Sequence, residues 1–277
     1  MDNLLTEIEL LLNKYNSLHI PQAIDWEKYN YYSIVHHSTS IEGSSLTEEE
    51  TQLLLDENIT AKGKPLEHHH MQKDHYNALL FILDAAKNKK MTSVNFLKEV
   101  AGLVMKNTGG IHNTALGSFD SGKGDFRLLN VHAGSTRFVD FSKVPDLVDK
   151  FCKELNDKLV SINDHNDALI TSFDAHFNLV SIHPFADGNG RVSRLLMNFT
   201  QHYYQLPLSN VFKEDKAEYY RALIDTRATE NMDVFRTFML NQYKKMLNIE
   251  IQKVLDSQNE HLIKKDNKSG LGMSMIF

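Results

Sequence analysis

Cysteine and long apolar runs are nearly absent from this chain of 277 residues. The single cysteine, Cys152, excludes an internal disulfide, which is typical of proteins in a reducing compartment. No apolar run approaches the ~20 residues that a membrane-spanning helix needs. Asp2, Glu7 and Glu9 lie where a secretory signal peptide would be basic and then apolar. The sequence therefore predicts a soluble cytoplasmic protein with no membrane contact.

An excess of basic residues is also absent, because 30 Lys and Arg residues face 36 Asp and Glu residues and the net charge is −6. This balance argues against a protein that binds nucleic acid by neutralising phosphates, so we expect no direct nucleic-acid binding. The sequence has no internal repeat and no low-complexity segment. Its hydrophobic content of 42% can form a substantial core.

Apolar residues recur with helical spacing along most of the chain. Thr47 and Glu50 form a capping box, and Asp167 is expected to cap the most apolar helix, which we expect to be buried. In one glycine-rich stretch, residues 124–131 and 135–138 predict a short β-hairpin that must lie on the helical body, since an isolated hairpin is marginally stable. Helices are predicted at 3–17, 26–39, 48–57, 67–87, 93–106, 143–160, 167–182, 191–204, from 216 onward and at 233–257.

The stretch after the buried helix, residues 183–194, reads HPFADGNGRVSR. Pro184 blocks continuation of the helix, and two glycines disfavour a helix interior, so residues 184–190 form a loop. A helical pattern resumes at Arg191. The N–H groups of such a loop lie beside the positive end of the following helix dipole, which favours an anion site.

The side chains around this loop suit a polyphosphate. Arg191 and Arg194 are three residues apart on one helix face, and Asn198 lies one turn further on. Two guanidinium groups and free N–H groups match a polyphosphate better than a lone carboxylate. Asp187 can hold Mg²⁺ on those phosphates. His183 is placed to accept a proton.

These twelve residues resemble the signature of the Fic (Fido) family, His-x-Phe-x-Asp/Glu-Gly-Asn-Gly-Arg-x-x-Arg, with every fixed position filled. The resemblance implies a mostly α fold, a Fic-type helical bundle with a short β-hairpin flap beside the active-site loop. It also implies transfer of AMP from ATP, with Mg²⁺, to a Ser, Thr or Tyr hydroxyl. The partner would be a hydroxyl-bearing protein target, and the chain itself is one candidate target.

The resemblance implies a role for each signature residue. His183 would be the catalytic base and Asp187 the metal ligand. Arg191 and Arg194 would bind the β- and γ-phosphates, and Asn198 would orient the loop or a phosphate. The backbone groups that would surround phosphate oxygens belong to Gly188, Asn189 and Gly190.

An upstream segment, Ser38-Thr39-Ser40-Ile41-Glu42-Gly43, has the pattern Ser/Thr-x-x-x-Glu-Gly/Asn. It resembles the inhibitory motif of N-terminally regulated Fic proteins, in which Ser38, Glu42 and Gly43 would fill the fixed positions. By that resemblance Glu42 pairs with Arg194. One guanidinium cannot serve both a carboxylate and a γ-phosphate, so the pair would misplace ATP. A homodimer equilibrium that frees Glu42 is one hypothesis for relief of this autoinhibition.

Two further segments are similar to Fic proteins. The flap, residues 124–139, has a Gly-x-aromatic-Arg pattern, and strand addition there would dock the target through Phe126, Arg127 and Leu128. A Tyr-Tyr-x-Ala-Leu run contains Tyr219 and Tyr220, either of which would line an adenine pocket by stacking or would pack in the core. His176, seven residues before His183, would support the loop.

Three regions follow from this interpretation. Residues 1–110 form an N-terminal helical region that includes the inhibitory helix, about 26–43. Residues 111–245 form the Fic core, and residues 246–277 form a helix end and a loosely held tail.

Other functions remain open. Glu42 could orient water, so that the enzyme removes AMP from its target. As a variant, the enzyme could use a nucleotide donor other than ATP, as some family members do. A nucleotide-binding regulatory or toxin–antitoxin-like module with weak catalysis is a second class. A metal-dependent phosphohydrolase would use His176, His183 and Asp187 as ligands. The consecutive His68, His69 and His70 point in different directions on a helix, so we expect surface histidines there rather than a zinc site.

Overall fold

The computed structural model describes residues 1–20, 26–134 and 136–270, with side chains as far as residue 258 except that of Trp26. These residues are mostly helical, which confirms the predicted fold class. Residues 271–277 of the predicted tail lie outside the described residues, whereas the last helix continues past its predicted end at 257 to Gly270. None of the described helices is both long and apolar enough to cross a bilayer. The helices are α1 (Asp2–Ser17), α2 (Trp26–Ile41), α3 (Glu48–Glu57), α4 (Leu66–Lys87), α5 (Val94–Val104), α6 (Val144–Ser161), α7 (His165–Ile182), α8 (Asn189–Tyr203), α9 (Lys216–Thr229) and α10 (Met232–Gly270).

Polar side chains fix the starts of two helices that matter for the site. At α3, Thr47 Oγ1 accepts a hydrogen bond from the Glu50 N–H (3.1 Å), and the Glu50 carboxylate accepts one from the Thr47 N–H (2.8 Å). The predicted capping box is therefore confirmed. At α7 the predicted cap is wrong, because the Asp164 carboxylate accepts from the Asp167 N–H (2.8 Å) and the helix begins three residues earlier.

The chain forms two compact units whose limits differ from the predicted boundaries at 110 and 245. The larger unit is Lys28–Met239, and the smaller comprises Met1–Glu27 and Leu240–Phe277. Position 110 is not a boundary between units because α4 and α5, which precede it, pack against α8, which follows it. These helices share one hydrophobic core.

Helices α7 and α8 lie against each other in the larger unit. Helix α7 is buried on nearly all sides, as its apolar sequence predicts. Phe199 of α8 packs against Phe96 of α5, with 5.4 Å between the ring centroids. Because the core fixes both helices, the loop that joins them, residues 183–188, is held at both ends.

The smaller unit is formed by α1 and the part of α10 that begins at Leu240. Ile8 and Leu12 of α1 are buried, as are Leu247 and Ile251 of α10. An ion pair between Glu7 and Lys244 joins the two helices at their surface.

Two short antiparallel hairpins lie between α5 and α6. The second hairpin lies within the flap, where a hairpin was predicted, whereas the first was not predicted. The strand predicted over 124–131 is wrong, because Arg127 turns inward there and its donors bond to backbone carbonyl groups. The paired strands are β1 (Ile111–Thr114) with β2 (Gly117–Asp120), and β3 (His132–Ala133) with β4 (Thr136–Arg137).

Gly124 fixes the start of the flap against α5. Its φ is +71°, and a Cβ built there would lie 1.8 Å from the carbonyl oxygen of Lys98. We predict that Gly124→Ala lowers the free energy of unfolding by about 2–4 kcal/mol, because it adds left-handed strain and a backbone clash. Gly63 has φ +77° and nothing within 4 Å of such a Cβ, so Gly63→Ala should lose only ~1 kcal/mol. Urea unfolding compares the two, and equal losses would contradict a role for the close contact.

Candidate active site

His183 ends α7 in the left-handed conformation, with φ +53° and ψ +59°. Its Nδ1 lies 3.3 Å from the carbonyl oxygen of Val180. A carbonyl can only accept, so Nδ1 carries the proton and Nε2 has the basic lone pair. Burial, together with the charges of Arg127 and Arg227, lowers the pKa of His183 to about 4. The imidazole is therefore neutral near pH 7 and can accept a proton.

Asn189 fixes the turn of the loop. Its Oδ1 accepts from the Phe185 N–H (2.9 Å), and its Nδ2 donates to the Phe185 carbonyl (2.8 Å). Gly188 precedes it with φ +80°, so α8 begins at Asn189 rather than at the predicted Arg191. The first N–H groups of α8 have no acceptor within the helix, which makes this end of α8 suitable for an anion.

Asp187 and Arg191 lie at the exposed and buried sides of the loop. The Asp187 carboxylate accepts from the Gly188 N–H (2.6 Å) and lies 3.4 Å from Arg191 Nη2. Arg191 is 1% exposed, and its Nη2 also lies 3.2 Å from the sulfur of Met105. Its Nε and Nη1 have no hydrogen-bond partner among the described residues. Because buried unpaired donors are unfavourable, they mark a position suited to anionic oxygens.

Arg194 contacts the segment that resembles an inhibitory motif. Its Nε donates to Ser38 Oγ (2.9 Å), and its Nη2 donates to the Ser38 carbonyl (2.9 Å) and to Glu42 Oε1 (2.6 Å). The predicted pairing of Glu42 with Arg194 is therefore present in the structure. Burial opposes ionisation of Glu42, but the charge of Arg194, its hydrogen bond to the carboxylate and the charges of Arg191 and Lys216 together outweigh burial and lower the pKa of this carboxyl group. Gly43 follows with φ +105°, which suits glycine at a helix end.

Gly190 allows this carboxylate to approach α8 closely. A Cβ built at Gly190 would lie 2.5 Å from Glu42 Oε1 and 3.1 Å from Arg194 Nη1. That Nη1 has no hydrogen-bond partner among the described residues. The space beside Gly190 is therefore bounded by an unused donor and by the carboxylate.

The two tyrosines of α9 differ in accessibility. Tyr219 is buried, and its hydroxyl lies 3.0 Å from His176 Nε2. Tyr220 is 39% exposed, so its ring is the one that a base could reach. His176 also stacks on Phe235, with ring planes 4° apart and centroids separated by 5.1 Å. His176 thus has structural contacts rather than a place beside Asp187, which contradicts the metal-ligand set of the phosphohydrolase alternative.

Asn198 fixes the chain that follows α8. Its Nδ2 donates to the carbonyl of Ser209 (3.0 Å) and to Gln201 Oε1 (3.4 Å). The side chain is buried, and its amide donors are directed at these two acceptors.

The three flap residues predicted to dock the target differ in accessibility. Arg127 is 1% exposed and cannot contact a target, so this part of the prediction is wrong. Phe126 is partly buried against Phe185, with 5.7 Å between the ring centroids, and Leu128 is also partly buried. The exposed part of the flap lies further on and comprises Leu129, Asn130, His132, Ala133, Gly134 and Arg137.

Two of the three consecutive histidines have structural partners, and His69 is buried rather than at the surface as expected. His68 Nδ1 accepts from the Ser45 N–H (3.1 Å), and His69 Nε2 accepts from the Ala61 N–H (2.9 Å). Over residues 1–20, 26–134 and 136–270, no group of three or more His, Cys, Asp or Glu side chains is arranged to hold a metal ion.

Three residues near the site could not be identified from local sequence patterns. Met105 contacts Arg191, and Phe138 stacks on His183 with 3.8 Å between the ring centroids. Arg227 lies 5.6 Å from the centroid of Phe138. Each is an isolated residue far from the signature loop in sequence, so only tertiary structure brings it there.

We predict that Asn189→Asp lowers the free energy of unfolding by about 1–3 kcal/mol and weakens any activity of the loop. The new carboxylate keeps the acceptor for the Phe185 N–H but faces the Phe185 carbonyl without a donor. Asn198→Asp serves as a comparison at a buried amide outside the loop. Urea unfolding and NMR spectra of the loop measure the effect, and an unchanged Asn189→Asp protein would contradict the role of this amide.

The chain is similar to known proteins along most of its length. The model of the Fic/DOC family matches residues 92–200. "Protein adenylyltransferase Fic" of Drosophila grimshawi is 30% identical over 199 residues, which are 71% of this chain and 38% of that protein. The chain therefore spans little more than a third of the length of the curated relatives it matches.

Solved structures share the fold. A Fic-domain-containing signaling protein of Bacteroides thetaiotaomicron matches with a TM-score of 0.76 and 22% identity, over 90% of this chain and 98% of that one. A variant of IbpAFic2 in complex with adenylylated Cdc42 matches with a TM-score of 0.50 and 16% identity, over 89% and 71%. The solved structures show the same fold, and the family-model match and the curated relatives, with the complete signature on the loop between α7 and α8, establish that the chain belongs to the Fic family.

Proposed function

We propose that this chain is a protein adenylyltransferase, which transfers AMP from ATP to a hydroxyl group of a protein and is inhibited by Glu42. One observation carries the proposal: a neutral imidazole, the start of α8 and two buried guanidinium groups meet at one loop. The curated relatives named protein adenylyltransferase Fic support the same reaction class.

The phosphates of ATP would bind at the start of α8. Arg191 offers Nε and Nη1, and Arg194 offers Nη1, none of which has a partner among the described residues. These donors and the helix N-terminus would bind the β- and γ-phosphates. Tyr220 would stack on the adenine, since its ring is more accessible than that of Tyr219.

Asp187 suits the Mg²⁺ that accompanies ATP. Its side chain is 69% exposed at the loop, and Mg²⁺ is commonly held by one or two carboxylates together with substrate phosphates. When bound, the ion would neutralise charge on the phosphates and so favour departure of pyrophosphate. The Arg191 guanidinium, 3.4 Å from Asp187, would keep the carboxylate oriented toward those phosphates.

His183 would act as the general base. Because the Val180 carbonyl fixes the proton on Nδ1, Nε2 accepts the proton of the target hydroxyl. The hydroxyl oxygen then forms a bond to the α-phosphorus, the bond from that phosphorus to the bridging oxygen breaks, and pyrophosphate leaves. The low pKa of His183, about 4, keeps the base unprotonated at neutral pH but limits its strength.

Glu42 would inhibit by occupying Arg194. Its carboxylate lies 2.6 Å from Arg194 Nη2, and its negative charge stands where a γ-phosphate would approach. ATP would then bind weakly or with its α-phosphate misplaced. The target would be a protein, as Cdc42 is for IbpAFic2, or a second molecule of this chain.

We predict that Glu42→Gly raises AMP incorporation about 10- to 100-fold, since it removes one charge-assisted hydrogen bond to Arg194. Glu42→Gln is the matched control, because it keeps the length and loses the charge, and we expect an intermediate rise. The measurement uses labelled ATP, Mg²⁺ and cell lysate, with mass spectrometry for a gain of AMP. Incorporation that stays the same or falls would contradict inhibition by Glu42, and loss of AMP from a modified target would favour the reverse reaction.

We predict that His183→Ala in the Glu42→Gly background lowers transfer by ~10²–10⁴, the usual effect of removing a general base. Calorimetry should find ATP binding retained, because His183 is not among the groups that would bind the β- and γ-phosphates. Transfer at an undiminished rate would exclude His183 as the base. Absence of ATP binding in both proteins would argue against a nucleotide site altogether.

A further inference from the structure

The flap contacts the imidazole of His183 directly. The ring of Phe138 lies 3.8 Å from the imidazole, centroid to centroid, and the two planes differ by only 15°. Phe138 is partly buried, and the Arg227 guanidinium lies 5.6 Å from its centroid. Arg227 is itself bonded to Ser181 of α7 through Nε (3.2 Å). The stacked face of the imidazole is therefore covered by a flap residue that α9 supports.

The flap also holds the backbone of His183. Arg127 Nε donates to the His183 carbonyl (2.8 Å), and the Arg127 N–H donates to the Pro184 carbonyl (3.1 Å). The same guanidinium donates through Nη1 to the Leu129 carbonyl (2.8 Å) and through Nη2 to the Val139 carbonyl (2.7 Å). One buried side chain thus ties the start and the end of the flap to the residue that carries the base.

We propose that Phe138 and Arg127 are positioning residues for His183, so that the flap sets the orientation of the general base besides presenting the target. Arg127 fixes the main chain of His183, and Phe138 fixes the plane of its ring. The inference rests on the proposed function for its catalytic consequence. Its structural content, an imidazole oriented by the flap, is independent of the reaction.

The charges near His183 fit this arrangement. Arg127 from the flap and Arg227 from α9 disfavour a protonated imidazole, and Asp187 of the loop favours it. Burial, to which the ring of Phe138 contributes, acts in the same direction as the two arginines. A variant that uncovers the ring should therefore raise the pKa of His183 toward its ordinary value.

The catalytic effect should fall on the chemical step. Neither Phe138 nor Arg127 contacts Arg191 or Arg194, so loss of the stack should leave ATP binding unchanged. A misoriented base, in contrast, lowers the fraction of complexes in which Nε2 faces the hydroxyl. We therefore expect kcat to fall while the KM for ATP stays the same.

The test uses the full chain with isotopically labelled histidine. Stacking on Phe138 should shift the ring C–H resonances of His183 upfield, and the His183→Asn spectrum assigns them. Phe138→Leu should abolish the upfield shift, and Phe138→Tyr should keep it. Phe141→Leu is the matched control, because it makes the same change three residues further on without a contact to His183, and it should leave the shift in place.

The kinetic arm uses the same substitutions in the Glu42→Gly background. Phe138→Leu should lower kcat about 10- to 100-fold with the KM for ATP within about twofold. Phe138→Tyr and Phe141→Leu should stay near the parent. Arg127→Lys should lower kcat as well, because an ammonium group cannot reach the three carbonyls with the geometry of the guanidinium fork.

Two results would overturn the inference. One is an upfield shift that survives Phe138→Leu, and the other is a fall of kcat in Phe141→Leu equal to that in Phe138→Leu. Because a change at the buried Arg127 can unfold the protein, thermal unfolding is measured for every variant, and Phe138→Leu decides. If no variant transfers AMP, the proposed function fails, while the resonance shifts still decide whether the flap orients the imidazole.

Discussion

Burial of two guanidinium groups at the start of α8 is the constraint on which the rest of the site depends. Arg191 and Arg194 are 1% and 3% exposed, so their charges and donors must be satisfied from within the protein or by a ligand. Arg194 is satisfied in large part by Ser38 and Glu42 of the α2 end. Within the part of the chain that the structure describes, the Arg191 guanidinium contacts the sulfur of Met105 (3.2 Å) and the carboxylate of Asp187 (3.4 Å), while its Nε and Nη1 have no hydrogen-bond partner. The unpaired donors of Arg191 therefore favour an anion, whereas one donor of Arg194 is already bonded to the carboxylate of Glu42.

The elements around the loop between α7 and α8 hold it in a fixed conformation and are not proposed to react themselves. Helices α7 and α8 are fixed by the core, and the amide of Asn189 holds the backbone between them at Phe185. The flap is paired over only four residues, and Arg127 replaces the missing strand bonds with bonds to three carbonyls. A loop that is held in this way keeps its donors oriented before a ligand arrives, which lowers the entropic cost of binding.

Local patterns explain what could be predicted from the sequence. The helical periodicity, the capping box at Thr47 and the loop at 183–194 depend on neighbours in the chain, and the structure contains all three. The pairing of Glu42 with Arg194 joins distant residues, and only the resemblance of two motifs predicted it. The contacts of Met105 and Phe138 could not be predicted, because an isolated apolar residue gives no sign of its partner. The resemblance assigned Arg127 to target docking, and no local pattern could show that its donors bond to the backbone carbonyls of His183, Leu129 and Val139.

The absence of a side chain at Gly190 limits which substitutions the site can accept. Under the proposed function, the carboxylate of Glu42 and an incoming triphosphate would both need the volume that a side chain at this position would fill. A substitution at Gly190 would therefore disturb inhibitor and nucleotide together, and no single replacement there could separate regulation from catalysis. Under the proposed function, a change that releases Arg194 without disturbing the phosphates would lie at Ser38 or at Glu42, which directly follows α2.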